Sequence, residues 1–412
     1  MRVLHTSDWH LGQFFINKSR ADEHQKFILW LLEQVEKHAI DAVIIAGDVF
    51  DTGTPPSYAR ELYNQFVIGM HKLDSQLVIL AGNHDSVSTL NESKNILAQL
   101  NTQVVASAGP KGEEQVLTIN NRQGEVGAIV CAIPYIRPRD IVKSHADESG
   151  SAKQQALGQA IADHYQQVFS YAKVKQQQLD SPVAIIATGH LTAMGVKSSE
   201  SVRDIYIGNL EAFPASSFPA ADYIALGHIH RAQIVANSDH IRYCGSPIPL
   251  SFDELTSQKQ VLIAEFKNAK LYQLTSLAVP LFQPMKMIKG DLESIEQQLL
   301  ELDERLLAEE VELPTWLSIE VETQDYLNDL QARVQQLTAT MNVEILQLRR
   351  ARKQQQQQIE RIDKEVLAEL TPEDVFERRL AQEEFNTEIE QQRKLRLITL
   401  FNQTVLQVND ED

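Results

Sequence analysis

The chain has 412 residues, more than one hydrophobic core normally supports, so two or three domains are expected. Its formal net charge of -18 argues against a protein that binds nucleic acid by overall charge alone, because neutralising phosphates takes a basic face. No apolar run reaches the roughly 18 residues of a membrane span, and the first residues lack the pattern of a signal peptide. Two distant cysteines, Cys131 and Cys244, make no disulfide framework, so a reducing cytoplasm is the expected location.

Five apolar runs predict buried β-strands. Four are rich in Val, Ile and Ala without polar alternation, which is typical of strands covered on both faces of a layered α/β domain. The runs are VLHTSDWH (3–10), AVIIAGD (42–48), LVILAGNHD (77–85), VAIIATGH (183–190) and YIALGHIH (223–230). A stretch over roughly 19–38, with Phe27, Leu31, Leu32 and Val35 on one face, predicts a helix after the first run.

The pattern changes after about residue 275. Short strands alternate with helical segments there, which predicts a small α+β domain. The strands are expected over 285–291, 316–322 and 343–349, and the helices near 293–307 and 324–338.

Beyond this domain the sequence predicts a polar linker and two tail helices. The linker, over 349–363, contains five consecutive glutamines. Thr371 followed by Pro372 is a strong helix start, and residues 395–408 repeat apolar side chains at helical spacing. These helices either pack on the parent domain or dock on a partner, and periodicity favours neither.

Each buried run ends in residues that can hold metal ions. Because α/β sheets bind ligands at the carboxyl ends of their strands, the five ends should converge on one rim. The ends read Asp8-x-His10, Gly47-Asp48, Gly82-Asn83-His84-Asp85, Gly189-His190 and Gly227-His228-x-His230. Phosphate-ester hydrolysis commonly uses such carboxylates and imidazoles to hold two divalent ions about 3.5–4 Å apart, which polarise the phosphoryl oxygen and activate water.

A single histidine is more often structural than a ligand, and a lone Gly-Asp is usually a turn. The histidines outside the strand ends are therefore assigned structural roles; they are His5, His24, His38, His71, His145, His164 and His240. The full ordered set, each member ending an apolar run, predicts a two-metal hydrolytic site.

At these residues the sequence resembles the calcineurin-like metallophosphoesterase superfamily over roughly residues 1–265. Longer motifs narrow the resemblance to the nuclease subunits of bacterial SbcCD complexes, and with the later domains it extends over the whole chain. These motifs are SDWHLG (7–12), GDVFDTGTPPSYAR (47–60), LAGNHDS (80–86), GHIHRAQ (227–233) and YCGSPIPLSFDE (243–254). The implied fold is a layered α/β metallophosphoesterase sandwich over 1–270, a small α+β capping domain over 275–348, and a linker with C-terminal helices over 349–412.

The resemblance also implies roles for the strand-end residues. Asp8, His10 and His230 would bind one metal ion, and Asn83, His190 and His228 the other, with Asp48 bridging; Mn²⁺ is the family's usual metal. His84 would stabilise the phosphate and protonate the leaving oxygen. Asp85 would either orient His84 or brace a turn. Relatives from archaea and eukaryotes have a histidine where this chain has Asp51, so that histidine's role does not carry over.

A DNA substrate and a protein partner follow from the same resemblance. The substrate would be double-stranded ends and hairpins, and candidate phosphate contacts near the rim include Lys18, Arg20, Arg139 and Arg231. An SbcC-like coiled-coil ATPase would bind the C-terminal helices, in a heterotetramer containing a homodimer of this chain.

Two other functions stay open from the residues. One is a phosphatase or cyclic-nucleotide phosphodiesterase on the same scaffold, and the other is a metal-free scaffold that binds proteins. The complete ligand set argues against the second.

Overall fold

The computed structural model describes residues 1–109, 111–141, 150–202, 212–308, 313–322 and 330–350, together with positions 391, 394, 396, 397 and 401. The chain divides into two units, Met1–Ala351 and Arg352–Asp412. The predicted linker and tail helices fall almost entirely outside the described residues, so they stay predictions.

The first part of the chain alternates strands and helices up to residue 278. Its elements are β1 (Arg2–Thr6), β2 (Phe14–Phe15), β3 (Lys18–Ser19), α1 (Ala21–Lys37), β4 (Ala42–Ala46), α2 (Ser57–Lys72), β5 (Gln76–Leu80), α3 (Val87–Asn91), α4 (Lys94–Ala98), β6 (Thr102–Val105), β7 (Val116–Asn120), β8 (Val126–Cys131), α5 (Pro138–Ile141), α6 (Gly150–Gln177), β9 (Ala184–His190), β10 (Tyr223–Gly227), β11 (Gln233–Val235), β12 (Ser238–Tyr243), β13 (Gln260–Lys267) and β14 (Lys270–Ala278). Each of the five predicted strands and the predicted first helix has its counterpart here.

Two six-stranded sheets form the centre of this part. The first has the order β14-β13-β1-β4-β5-β6, and the second has the order β11-β12-β10-β9-β8-β7. Parallel strands β1, β4, β5 and β6 lie side by side in the first sheet, and β8, β9, β10 and β12 in the second. Because parallel strands point the same way, their carboxyl ends share one edge of each sheet.

Packing on both faces of the strands explains the lack of polar alternation in the sequence. In β4, Ala42, Ile44 and Ala46 pack between the two sheets. Val43 and Ile45 face the opposite way, into the cluster that includes the apolar residues of α1 and α2. The second sheet is covered on its outer face by residues of α6. The predicted layered α/β fold is therefore confirmed.

A smaller three-stranded sheet follows. Its elements are β15 (Met285–Gly290), α7 (Leu292–Ala308), β16 (Thr315–Val321), α8 (Leu330–Thr338) and β17 (Val343–Arg350). All three strands are parallel in the order β15-β16-β17, and α7 and α8 contribute Leu299 and Val334 to their shared core. The predicted order of strands and helices is found, with the parallel pairing that helical crossovers permit.

This small sheet packs against the first part of the chain through an apolar cluster. Phe15, Phe252, Met285 and Trp316 form its buried centre. The rings of Phe15 and Trp316 stack with centroids 5.6 Å apart. Across the described residues, no helix is both long and apolar enough to cross a membrane.

Candidate metal centre

The strand-end residues singled out in the sequence meet at one place, where the carboxyl edges of the two sheets adjoin. Asp8 and His10 follow β1, and Asp48 follows β4. The second sheet contributes His190 at the end of β9 and His228 just after β10. The site therefore draws its side chains from both sheets and requires their packing.

The backbone at these ends is unusual. Asp8, His10, Asp48 and His228 have φ values of 55°, 48°, 50° and 92°, in the left-handed region that residues with a side chain rarely adopt. Such strain is typical of functional sites, where the surrounding fold enforces it.

One glycine shows how closely these loops approach each other. A Cβ built on Gly82 would lie 2.1 Å from Oδ1 of Asp48 and 2.4 Å from its backbone nitrogen. No side chain fits at that position, which explains the glycine ahead of Asn83.

A first group of potential ligands consists of Asp8, His10 and His230. One ligand atom from each lies within 4.8 Å of the others, and all three side chains are buried. Nε2 of His10 is buried without a hydrogen-bond partner among the described residues. A buried ring nitrogen without a partner is costly in an empty apolar space but suits a metal ligand, so these residues fit a divalent ion.

A second group consists of Asp48, His190 and His228, whose ligand atoms likewise lie within 4.8 Å of one another. Oδ1 of Asn83 lies 3.0 Å from Nε2 of His190 and 3.1 Å from Nδ1 of His228, so its amide oxygen belongs with this group. The carbonyl of Ala46 lies 2.9 Å from Nδ1 of His190 and accepts a hydrogen bond from it, which leaves Nε2 as the nitrogen beside Asn83 and Asp48.

Asp48 lies between the two groups. Its Oδ2 is 3.6 Å from Nε2 of His10 and 3.1 Å from Nε2 of His190. Its other oxygen, Oδ1, accepts the backbone N–H of His84 at 2.9 Å. One carboxylate thus faces histidines of both groups, which is the arrangement that a ligand shared by two ions requires.

The side chains of the second group shift one another's pKa values. Burial alone would raise the pKa of Asp48, but the adjacent His190 and His10 bring it well below its ordinary value. Burial likewise opposes charge on His190, yet the Asp48 carboxylate raises the pKa of that imidazole to about 9. The pKa of His228 falls well below 6.5 because of burial and the neighbouring His190. Asp48 and His190 thus favour each other's charged form, and a metal ion bound to His190 would take the place of its Nε2 proton.

In both histidines of the first group, a carboxylate contacts ring nitrogen Nδ1, the nitrogen that would not face the ion. Nδ1 of His10 lies 3.0 Å from Oδ1 of Asp51. Nδ1 of His230 lies 2.6 Å from Oγ of Ser201 and 3.3 Å from Oε1 of Glu254. Such partners fix the tautomer and orientation of a ligating histidine. Sequence reasoning missed Ser201 and Glu254, and treated Asp51 only as a departure from relatives.

His84 lies beside the first group. Nδ1 of its ring is 2.8 Å from the carbonyl oxygen of Asp51, and its ring centroid is 4.7 Å from that of His10. Its ring also forms a possible third ligand group with His10 and Asp48. Asp8, His10 and His230 are buried, whereas His84 is partly exposed and its ring is accessible to a molecule that enters from solvent.

Asp85 braces the loops around the site. Its carboxylate accepts backbone N–H groups from Val49 at 3.1 Å, Phe50 at 2.9 Å and Gly82 at 2.8 Å. These bonds tie the loop after β4 to the loop after β5. Of the two roles expected for Asp85, the turn-bracing role accounts for these contacts.

The four basic residues expected to contact phosphate differ in their surroundings. Arg20 is buried, and its guanidinium binds Glu23 and the carbonyl of Pro249, so we correct its assignment to a structural one. Lys18 pairs with Glu344 of β17. Arg231 lies 2.9 Å from Oδ2 of Asp253, and Arg139 is 80% exposed.

Comparison with known proteins agrees with this geometry. The family model described as calcineurin-like phosphoesterase matches residues 1–232, and the model described as type 5 capsule protein repressor C-terminal domain matches residues 281–384. The SbcD subunit of the nuclease SbcCD from Escherichia coli (strain K12) is 54% identical over 399 residues, 97% of each chain. The proteins of the same name from Rhodobacter capsulatus and Staphylococcus epidermidis are 32% and 28% identical, covering 70% and 72% of this chain and 71% and 75% of their own.

The similarity runs along nearly the whole chain and includes the site. The ligand-bearing strands fall within the matched residues 1–232, and the small parallel sheet falls within residues 281–384. The chain therefore belongs to the calcineurin-like phosphoesterase family, and within it to the SbcD subunits of SbcCD nucleases.

Proposed function

We propose that this chain is the nuclease subunit of an SbcCD-type complex and hydrolyses DNA phosphodiester bonds with two divalent metal ions. The observation that carries the proposal is the position of Asp48, whose Oδ2 faces His10 of one ligand group and His190 of the other. The Escherichia coli relative, which is 54% identical, is named as a subunit of a nuclease, and this supports a nucleic acid as the substrate.

The two ions would be held by the two ligand groups. Asp8, His10 and His230 would bind one ion, Asn83, His190 and His228 would bind the other, and Asp48 would bind both. When bound, the ions supply Lewis acidity and activate water near neutral pH. Mixed oxygen and imidazole ligation favours Mn²⁺ over Mg²⁺, which prefers oxygen and water.

His84 is proposed as the residue that assists the leaving group. The carbonyl oxygen of Asp51 accepts from Nδ1 at 2.8 Å and so fixes the ring, and Nε2 is then the nitrogen that would face the substrate. An imidazole in that position can stabilise charge on the phosphate and give a proton to the departing sugar oxygen. The hydrogen bond from its own backbone N–H to Asp48 keeps this residue in register with the metal centre.

The net charge of -18 is compatible with a DNA substrate. Two divalent ions would add four positive charges where the phosphate binds, so the electrostatic field at the site would be more positive than the net charge of the chain indicates. Arg139, Lys18 and Arg231 remain the candidate phosphate contacts on this chain.

A partner would supply further DNA-binding surface. We place an SbcC-like ATPase on the C-terminal helices, with this chain as a homodimer inside the complex, and the small parallel sheet as a cap that steers DNA toward the metal centre. The buried free thiols of Cys131 and Cys244 support a reducing compartment such as the cytoplasm.

Cleavage of a hairpin-ended duplex with Mn²⁺, compared with turnover of a small phosphodiester, tests the proposal. Cleavage of the hairpin that requires Mn²⁺, stops in Asp48→Asn and responds to the ATPase with ATP is the expected result. Turnover of the small ester alone would identify a phosphatase or cyclic-nucleotide phosphodiesterase. Absence of any metal-dependent hydrolysis would identify a scaffold.

A further inference from the structure

A buried carboxylate outside the ligand groups contacts one of the ligands. Glu254 lies in the turn Phe252–Thr256, and its side chain is inaccessible to solvent. Within the described part of the chain, every hydrogen-bond partner of its two oxygens can act as a donor. They are Ser199, Ser201, Ser251 and Nδ1 of His230 around Oε1, and Ser246, the backbone N–H of Leu250 and Lys259 around Oε2.

Lys259 provides the opposite charge. Its ammonium lies 2.5 Å from Oε2 of Glu254 and 2.7 Å from Oγ of Ser246, and it donates to the backbone carbonyl of His230 at 3.0 Å. Because a charge taken out of water is costly unless it is paired, each member of the pair allows the other to be buried. Together they hold His230 at two points, the ring through Glu254 and the main chain through Lys259.

These contacts fix which nitrogen of His230 is available. Oγ of Ser201 lies 2.6 Å from Nδ1 and donates its own hydrogen bond to Glu254, so the Ser201 oxygen accepts a hydrogen bond from the Nδ1–H group and links the ring to the carboxylate. Nε2 is left as the ring nitrogen for the ion of the first group. A negative charge behind a ligating imidazole also increases its basicity. In the second group, Nδ1 of His190 donates instead to an uncharged acceptor, the backbone carbonyl of Ala46.

The turn that carries Glu254 is anchored from outside the site. Phe252 packs with Phe15, Met285 and Trp316, and the rings of Phe252 and Phe15 are 5.0 Å apart. The segment carrying Ser201 is tied to this turn by the backbone N–H of Glu200, which donates to Asp253. Both segments that contact Nδ1 of His230 are thus held by contacts outside the ligand groups.

We propose that Glu254 and Lys259 are positioning residues that hold His230 for metal binding and set the affinity of the first ion site. This inference rests on the proposed two-metal site. It concerns the ion held by Asp8, His10 and His230, and leaves the other ion unaffected.

Calorimetric titration of the metal-free full-length chain with Mn²⁺ tests the inference. Glu254→Gln keeps the shape of the side chain but places an amide N–H₂ among donors and removes the charge. We expect its affinity at one of the two sites to fall about 10–100-fold, the usual effect of losing such a partner, with the other site unchanged. Asp41→Asn is the matched control, because Asp41 is a buried carboxylate that accepts two backbone N–H groups ahead of β4, at the end opposite the site.

The outcomes separate this inference from the proposed function. If the parent chain binds fewer than two Mn²⁺ ions, the proposed site is wrong. If the parent binds two and Glu254→Gln binds both with unchanged affinity, the positioning role is wrong. Should Glu254→Gln not fold, Ser201→Ala replaces it, since it removes only the hydroxyl between Nδ1 and Glu254. We expect a several-fold loss at the same single site, and unchanged binding there would overturn the inference.

Discussion

Asp48 and His190 belong to different sheets, yet Oδ2 of Asp48 lies 3.1 Å from Nε2 of His190. Asp48 follows β4 in the first sheet and His190 ends β9 in the second. The contact exists only when the two sheets pack face to face through the cluster that contains Ala46 and Ile186. Packing of the two sheets is therefore required to assemble the candidate metal centre, and several experiments can test this dependence.

The close approach at Gly82 gives the first prediction. In Gly82→Ala, a methyl group 2.1 Å from Oδ1 of Asp48 would displace the carboxylate shared by the two ligand groups. We expect both Mn²⁺ sites to weaken and cleavage to be lost. Gly53→Ala is the control, because its Cβ would meet only Ser86 at an ordinary 3.4 Å. Equal Mn²⁺ binding by the two variants in calorimetry would show that this contact is unimportant.

His84 provides a prediction about chemistry without loss of metal. Gln in its place keeps hydrogen-bonding capacity but cannot act as an acid near neutral pH. We expect His84→Gln to bind Mn²⁺ as the parent does and to cleave DNA about 10²–10⁴-fold more slowly. His240→Gln, on β12, should match the parent in both measurements. A parent-like cleavage rate in His84→Gln would remove this residue from the mechanism.

The lowered pKa values of two buried histidines outside the site predict how the free energy of unfolding depends on pH. Burial lowers the pKa of His5 and of His24 from the ordinary 6.5 to about 3. Between those values the unfolded chain binds protons that the folded chain does not, so the stability from these groups is full above pH 6.5 and falls as pH decreases toward 3. For each of the two histidines, the free energy of unfolding decreases by about 1.4 kcal/mol per pH unit as the pH falls through that window.

Urea unfolding of the metal-free chain at pH 7 and pH 5.5 measures this effect. His5 accepts from the hydroxyl of Tyr223 and donates to the carbonyl of Leu226, so His5→Gln should lower stability at pH 7. It should also reduce the loss between the two pH values, since one titrating group is gone. A variant with the same pH dependence as the parent would contradict the assignment of His5 as a neutral core residue.

The C-terminal helices give a prediction about the partner. Deleting residues from 371 onward should abolish stable binding of the coiled-coil ATPase while leaving metal-dependent phosphodiesterase activity, because the ligand residues all precede residue 231. Co-purification of the truncated chain with the ATPase would show that docking uses another surface.

Much of the grouping of side chains at the candidate site could be predicted because its signals are local. A buried strand that ends in Gly-Asp or Gly-His shows both its burial and the position of its ligand within a few residues. The parallel order of β1, β4 and β5 then brings these ends to one edge. The direct contact of His190 with Asp48 depends on how the second sheet packs against the first, and the three-dimensional structure was needed to show it.

The partners behind the ligands could not be predicted in this way. Glu254 and Ser201 come from loops whose positions depend on tertiary packing, and neither has a spacing that marks it. The prediction of Arg20 as a phosphate contact, which rested on its charge alone, was also wrong. Arg20 forms a buried ion pair with Glu23, three residues later in the chain. That i, i+3 spacing at the start of α1 was the available signal.

Asp48 is the residue proposed to join two metal ions in one centre. Electron paramagnetic resonance of the chain loaded with Mn²⁺, together with a count of bound ions, is the decisive test of that role. We expect two ions per chain with the exchange-coupled signal of two Mn²⁺ that share a ligand, and loss of that coupling in Asp48→Asn. A single bound ion, or two with uncoupled signals in the parent chain, would show that Asp48 does not bridge a two-metal centre.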